Sequence, residues 1–299
     1  MSDQSWLTEF PQLDRHQLLE IRKTLDGAYR AFSREYGDSI EAFFDPLLSF
    51  LIGFEKLLLV TPWWIVIGVL AALAYVASRS WKLTLGVVVA FVLIGVFGMW
   101  DNTMRTMSII LVSTLVAIGL GIPIGIAMAR SDRVQSVVTP LLDVMQTMPA
   151  FVYLIPVVML LGIGKIPGVI AVVIYAIPPV IRLTNLGIRL VDKEVLEAAT
   201  AYGASPTQRL LGVQLPLALP NIMAGINQTI MMALAMVVIA SMIGVKGLGQ
   251  PVLKSITNQY FTLGLLNGLA IVALAIIFDR VTQSYAKRTQ QHLGGSDHG

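Results

Sequence analysis

Seven stretches of the chain carry no charged residue and approach the length of about 20 apolar residues that a helix needs to cross a hydrocarbon core. They lie at 57–78, 83–100, 107–129, 144–164, 166–181, 210–245 and 255–278. The second is short, the fifth continues past Arg182 to Ile188, and the sixth has room for a surface segment before its span. The pattern predicts an all-α integral membrane protein of about seven transmembrane helices.

Residues 2–45 are polar and mixed in charge, and 17–29 shows helical spacing at Leu18, Ile21, Leu25 and Tyr29. Segment 43–59 sets Asp45, Glu55 and Lys56 among many apolar residues. Two readings stand for it: an amphipathic helix lying in the membrane interface, or the first turns of the first span. Prolines gather later in the chain. Pro140, Pro149 and Pro156 fall in or near the fourth span, Pro178 and Pro179 interrupt the fifth, and Pro216 and Pro220 open the sixth. Each removes a backbone hydrogen bond, and in lipid the freed carbonyl must be met by protein or by water in a cavity. These helices either line a pathway or carry packing kinks.

Composition narrows the function. Hydrophobic residues make up 56% and charged residues 13%, against about 25% charge in soluble domains, which excludes a soluble enzyme and a disordered chain. The absence of cysteine excludes a disulfide framework, thiol catalysis and Cys-ligated zinc. The histidines are His16, His292 and His298, all in polar tails, so neither a metal site, a His-based catalytic site nor a cofactor is expected. The net charge of +3 comes without a Lys/Arg cluster, which speaks against nucleic acid. Acids at Asp3, Glu9 and Asp14, without a basic segment leading into an apolar run, speak against a cleavable signal peptide. The nearest string to a phosphate-binding loop, Gly162-Ile163-Gly164-Lys165, lacks the first glycine and the Ser/Thr, so an energy source must be a partner.

Lys and Arg in short loops mark the cytoplasmic side. One set of alternating loops holds Arg79, Lys82, Arg130, Arg133, Arg189, Lys193, Arg209, Arg280, Lys287 and Arg288; the other holds only Arg105, Lys165, Lys246 and Lys254. The first set is therefore read as cytoplasmic, with the C-terminus inside and the N-terminus outside. Trp63, Trp64, Trp81 and Trp100 near span ends suit an interfacial aromatic belt.

The longest polar loop on that side is 189–212. Residues 192–202 can form a short helix with Val195, Ala198, Ala199 and Tyr202 on one side, and Gly203 suits a left-handed helix end. Ser205, Pro206 and Gln208 then suit an N-cap, a first helical position and a capping-box partner. The expected shape is a compact helix–Gly–helix knob whose small residues allow close approach by another protein.

Glu197-Ala198-Ala199, three residues, Gly203, nine residues, then Val213-Gln214-Leu215-Pro216 resembles the EAA loop of ABC-importer permeases, with Val213 in place of the family's isoleucine. Strings 146–153, 177–184, 214–218, 223–229, 237–243 and 247–249 look like the glycine betaine/proline betaine/choline branch of that family, and together cover roughly 107–283. The resemblance implies a type I importer permease fold in the bacterial cytoplasmic (inner) membrane. It implies a stand-alone permease subunit, since no soluble substrate-binding domain follows Phe278.

Under that resemblance, residues 1–56 are an extracytoplasmic tail with an interfacial helix, 57–102 peripheral scaffold helices, 103–282 the core permease with the coupling loop 189–216, and 283–299 a cytoplasmic tail. A dimer of ABC ATPase subunits grips the knob, a binding protein delivers solute from outside, and a second copy of the chain completes the pathway in the lipid bilayer. Glu197 supplies polar contact with the ATPase; Ala198, Ala199, Gly203 and Pro216 complete the coupling element. Pathway or helix-packing candidates are Asp143, Phe151, Tyr153, Tyr175, Asn185, Asn227 and Gln228, with aromatic faces suited to a quaternary ammonium through cation–π attraction. Arg182 and Asp143 both lie near cytoplasmic span ends; Arg182 is read as snorkelling to the interface, and Asn185, Asn227 and Gln228 as amides that can bond between helices.

Three alternatives stay open at this level. One is an importer of the same family carrying an amino acid such as histidine or proline. Another is an ion-coupled secondary transporter, which would want buried acids near the midplane. The third is a non-transporting anchor, for which Gly121–Gly125 and Gly264–Gly268 would supply close helix contact.

Overall fold

The computed structural model describes residues 13–294, with side chains through Arg288. The acids Asp3 and Glu9, the side chain of His292, and His298 lie outside the described residues. All regular structure among the described residues is helical. In chain order the α-helices are α1 (Arg15–Val60), α2 (Trp63–Ser78), α3 (Trp81–Val96), α4 (Trp100–Arg130), α5 (Asp132–Thr147), α6 (Ala150–Leu161), α7 (Lys165–Ala176), α8 (Pro178–Arg189), α9 (Lys193–Ala201), α10 (Pro206–Arg209), α11 (Leu215–Ala240), α12 (Gly249–Asn258) and α13 (Phe261–Gly294).

Four spans are long and apolar enough to cross a membrane: α4, α7 with α8, the run Pro206–Ile243, and Phe261–Arg288 within α13. Two bent pairs, α1 with α2 and α5 with α6, bring the number to six if each is one span. The apolar helix α3 has 16 residues, which at 1.5 Å per residue reach about 24 Å, short of the ~30 Å hydrocarbon core.

The prolines differ in effect. Pro178 and Pro179 occupy the first turn of α8, where missing N–H groups cost little, and Ile177 keeps helical dihedrals. The fifth span therefore continues as one 25-residue helical segment from Lys165 to Arg189 instead of being interrupted. At Met148-Pro149 the chain leaves helical geometry and turns by 101° between α5 and α6. A second turn, of 110°, separates α1 from α2 at Thr61-Pro62. Residues 43–59 thus belong to the 46-residue α1, which Asp14 and Gln17 start with a reciprocal capping box.

The core is built around α8. Its span is 61% buried inside the chain, against 17% for Phe261–Arg288. Glycines on its neighbours permit this enclosure. A Cβ at Gly121 would lie 2.4 Å from the Val180 side chain, and one at Gly125 would lie 2.7 Å from the Ile181 carbonyl. On the opposite side, a Cβ at Gly225 of α11 would lie 3.0 Å from the Val180 Cα. At Gly125 the α8 backbone comes closer than a Cβ allows, at Gly225 it leaves almost no room for one, and at Gly121 the Val180 side chain fills the space, so α4 and α11 clasp α8 between them. Gly264 likewise abuts Ser255, whereas a Cβ at Gly268 would meet nothing within 4 Å.

The end of α1 is fastened to this core. Leu51 is fully buried, and the buried Glu55 meets Lys165 at the start of α7 (2.7 Å) and Arg105 in the second turn of α4 (3.7 Å). Nearer the start of α1, the Tyr29 hydroxyl donates to the Pro156 carbonyl of α6 at 2.5 Å.

Candidate functional site

The polar loop between α8 and α11 folds as two short helices with no buried residue. Asp192 caps α9 by accepting from the Glu194 N–H at 2.8 Å. The helix ends in a Schellman motif, in which the Ala204 N–H donates to the Ala199 carbonyl and the Gly203 N–H to the Thr200 carbonyl. Gly203 has φ +82°, and a Cβ there would touch nothing. The glycine is required by its left-handed backbone, not by crowding within the chain. Ser205 and Gln208 form the reciprocal capping box of α10, with Pro206 in its first turn. Arg209 closes the knob by donating to the Thr200 hydroxyl at 2.9 Å.

The outward face of the knob is open. Tyr202 is 93% exposed at the tip; Glu197 and Ala198 are exposed, and Ala199 is partly covered. Glu197 has no hydrogen-bond or ion-pair partner among the described residues, so its carboxylate is available to another molecule. An aromatic ring, a free acid and small residues on one short helix form a surface that another protein can grip.

The roots of the knob are held together beneath it. Ile188, Leu210, Ala218 and Ile222 form a small buried cluster against Ile122, Ile126 and Ala129 of α4. Between α10 and α11 the chain makes a five-residue π-helix, Leu210–Gln214, in which the Leu215 N–H donates to the Leu210 carbonyl. Pro216 follows immediately in the first turn of α11. The wide turn adapts the backbone just before a residue that has no N–H to donate.

The other candidate residues do not converge. Asp143, exposed on α5, accepts from Arg182 of α8 at 2.5 Å. Arg182 is therefore ion-paired, where the sequence suggests snorkelling. Phe151 is exposed on α6. Tyr153 is buried, its hydroxyl donating to the Met145 carbonyl, and its ring meets that of Tyr175 edge-on at 5.8 Å. Both tyrosines are thereby engaged in joining α5, α6 and α7. Asn185 is buried and accepts from Arg189 at 3.1 Å. Asn227 donates to Asp279 at 2.8 Å and accepts from the Thr282 hydroxyl, tying α11 to α13. Gln228, one residue on, is exposed.

Sequence reasoning missed Arg189, treating it only as a loop charge. Its guanidinium donates to Asn185 on its own helix, to the Met128 carbonyl in the last turn of α4 (2.9 Å) and to Asp132 at the start of α5 (2.7 Å). It also missed the buried Glu55 triad. An isolated acid in an apolar segment is the available signal for Glu55; its two partners lie 50 and 110 residues away in sequence.

Comparison with known proteins adds to this geometry. The profile of a family described as binding-protein-dependent transport system inner membrane component matches residues 121–291. The glycine betaine/proline betaine transport system permease protein ProW of Escherichia coli (strain K12) is 49% identical over 242 residues, 81% of this chain and 68% of ProW. The glycine betaine/carnitine transport permease protein GbuB of Listeria monocytogenes is 48% identical, covering 78% of this chain and 83% of GbuB. The glycine betaine transport system permease protein OpuAB of Bacillus subtilis is 40% identical, covering 91% of this chain and 96% of OpuAB. Among solved structures, an inward-facing MetNI methionine ABC transporter aligns with a TM-score of 0.57 at 18% identity, over 62% of this chain and 93% of that one. The last match speaks to the fold alone.

Proposed function

The chain belongs to the family of binding-protein-dependent transport system inner membrane components, and from that premise we propose how it works: as the membrane-spanning subunit of an ATP-driven importer for a quaternary ammonium solute such as glycine betaine. Such a subunit sits in the inner membrane, works with an ATPase and a substrate-binding protein, and is not itself an enzyme. Family membership decides against the ion-coupled carrier and the non-transporting anchor. The choice of solute follows the three relatives described above, each of which is named for glycine betaine transport.

The observation that carries the mechanism is the knob. A cap, a Schellman turn and a capping box hold it rigid, while Tyr202 and Glu197 are left free. We assign Glu197, Ala198, Ala199 and Gly203 to the ATPase contact and Pro216 to the stem that returns the chain to the membrane. The knob side is cytoplasmic in this reading, in keeping with Arg130, Arg133, Arg189 and Arg209 at the ends of α4, α5, α8 and α10. Residues 103–282 form the transporting core, 57–102 the periphery, and 1–56 an outer segment whose helix ends on the Glu55 triad; 283–299 is a cytoplasmic tail.

Two copies of the chain make the working unit. Each copy carries one knob, and twofold pairing is the commonest symmetric assembly. The exposed amide of Gln228, in a span otherwise suited to lipid, calls for a polar partner or water beyond its own chain.

The test is Gly203→Asp in the chain reconstituted with its ATPase and binding protein. It adds a charge to the docking face and places a Cβ at φ +82°. Solute uptake should fall at least tenfold, with membrane insertion preserved and ATPase co-purification reduced. Normal solute-stimulated ATP hydrolysis and uptake in this variant would remove the knob from the mechanism.

A further inference from the structure

The helix α5 is joined to α8 by two ion pairs. Arg189 meets Asp132 at 2.7 Å, and Arg182 meets Asp143 at 2.5 Å. The higher-numbered arginine pairs with the lower-numbered aspartate, so the helices run antiparallel. On α8 the two arginines are separated by about two helical turns, and on α5 the two aspartates by about three. At ~100° per residue, each spacing returns to within about 20° of its starting direction. Both rungs therefore lie along one face of each helix.

The apolar attachment of α5 is confined to one side: Leu142 is its sole buried residue among the described ones, with Val134, Val138 and Met145 partly buried against the core, while Val137, Leu141 and Val144 are more than half exposed. Its far end is the 101° turn at Pro149. By contrast, α8 is locked by close glycine contacts between α4 and α11, and it ends three residues before the knob helix α9. A push on the knob reaches α8 directly through the Ile188–Leu210 cluster. From there, α5 is reached through the two rungs.

We propose that Arg189 and Arg182 form an ionic ladder that carries displacement of the knob into α5. The ladder rests on the reading of the knob as the ATPase-coupling element and identifies what the knob drives. Arg189 is the principal positioning residue. One nitrogen of its guanidinium, Nη2, donates to both the Met128 carbonyl and Asp132, while Nε donates to Asn185 on its own helix and aims the fork, so the ends of α4, α5 and α8 move as one. Lysine carries the charge without that fork.

The experiment uses the full chain with its ATPase and binding protein in lipid vesicles, reading glycine betaine taken up per ATP hydrolysed. Arg189→Gln and Arg182→Gln should each lower this ratio about threefold to tenfold, and together by more than tenfold, with ATPase co-purification unchanged. Arg189→Lys should fall between wild type and Arg189→Gln. Exchanging the charges, Arg189→Asp with Asp132→Arg, should recover at least half of the loss seen with Arg189→Asp alone, which a merely packing role would not do. An unchanged ratio in the double glutamine variant would overturn the ladder, as would an exchanged pair no better than Arg189→Asp. The knob reading is judged separately: Gly203→Asp that still binds and stimulates the ATPase would refute the knob, whatever the arginine variants do.

Discussion

Glu55 illustrates how differently two carboxylates of the same chain are placed. Its side chain is 7% exposed and faces two cations from two other helices, whereas that of Asp132 is 90% exposed in its pair with Arg189. Removing one member of a buried ionic group leaves uncompensated charge and costs about 3–5 kcal/mol, while an exposed pair contributes about 0–1 kcal/mol to stability. Glu55→Gln should therefore lower the Tm of the detergent-solubilised protein by several degrees, and Asp132→Asn by one or two at most. Equal shifts in thermal unfolding would contradict the placement of Glu55. At the same scale, Gly203, Ser205, Pro206 and Gln208 were legible in advance, because capping and left-handed turns depend on neighbours within a few residues. The partners of Arg189 were not. Met128 and Asp132 are 61 and 57 residues away, and nothing local to Arg189 encodes them.

At the level of elements, hydrophobic runs located the membrane helices, but the consequence of each proline depended on its surroundings. Pro178 and Pro179 start α8 without ending its span, Pro123 and Pro220 are absorbed inside α4 and α11, and Pro149 marks a sharp turn. Glycines divide in the same way. Gly119 and Gly125 lie on the same helix, yet a Cβ at Gly119 meets nothing within 4 Å and one at Gly125 collides with the Ile181 carbonyl and Thr184. Gly119→Ala should leave stability unchanged or raise it by up to about 1 kcal/mol, from helix propensity. Gly125→Ala should lower it by about 1–3 kcal/mol, since α8 must shift to make room. Thermal unfolding of the two variants side by side checks the clasp, and the reverse order would contradict it.

For the whole molecule, the disposition of candidate pathway residues bears on assembly. Phe151, Asp143 and Gln228 lie on the outside of a single chain, as does much of α13. If two copies enclose the pathway, a cysteine placed at Gln228 in this cysteine-free chain should react with a water-soluble maleimide in the assembled transporter. A cysteine at Leu265, exposed on α13, should react at least tenfold more slowly in the lipid-facing environment expected for it. Maleimide labelling followed by mass measurement reads both, and an unreactive Gln228→Cys would argue against a wet pathway beside α11. The membrane class, the positions of the apolar helices, the knob with its caps and the family can all be read without coordinates, because each depends on composition or on spacing within a few turns. Tertiary structure alone decided which prolines bend the chain, which glycines admit a neighbouring backbone, that α1 ends in a buried ionic triad, and that α5 is held to α8 by two ion pairs. Those features come from groups tens to more than a hundred residues apart, whose meeting is set by the packing of whole helices and leaves no local pattern to read.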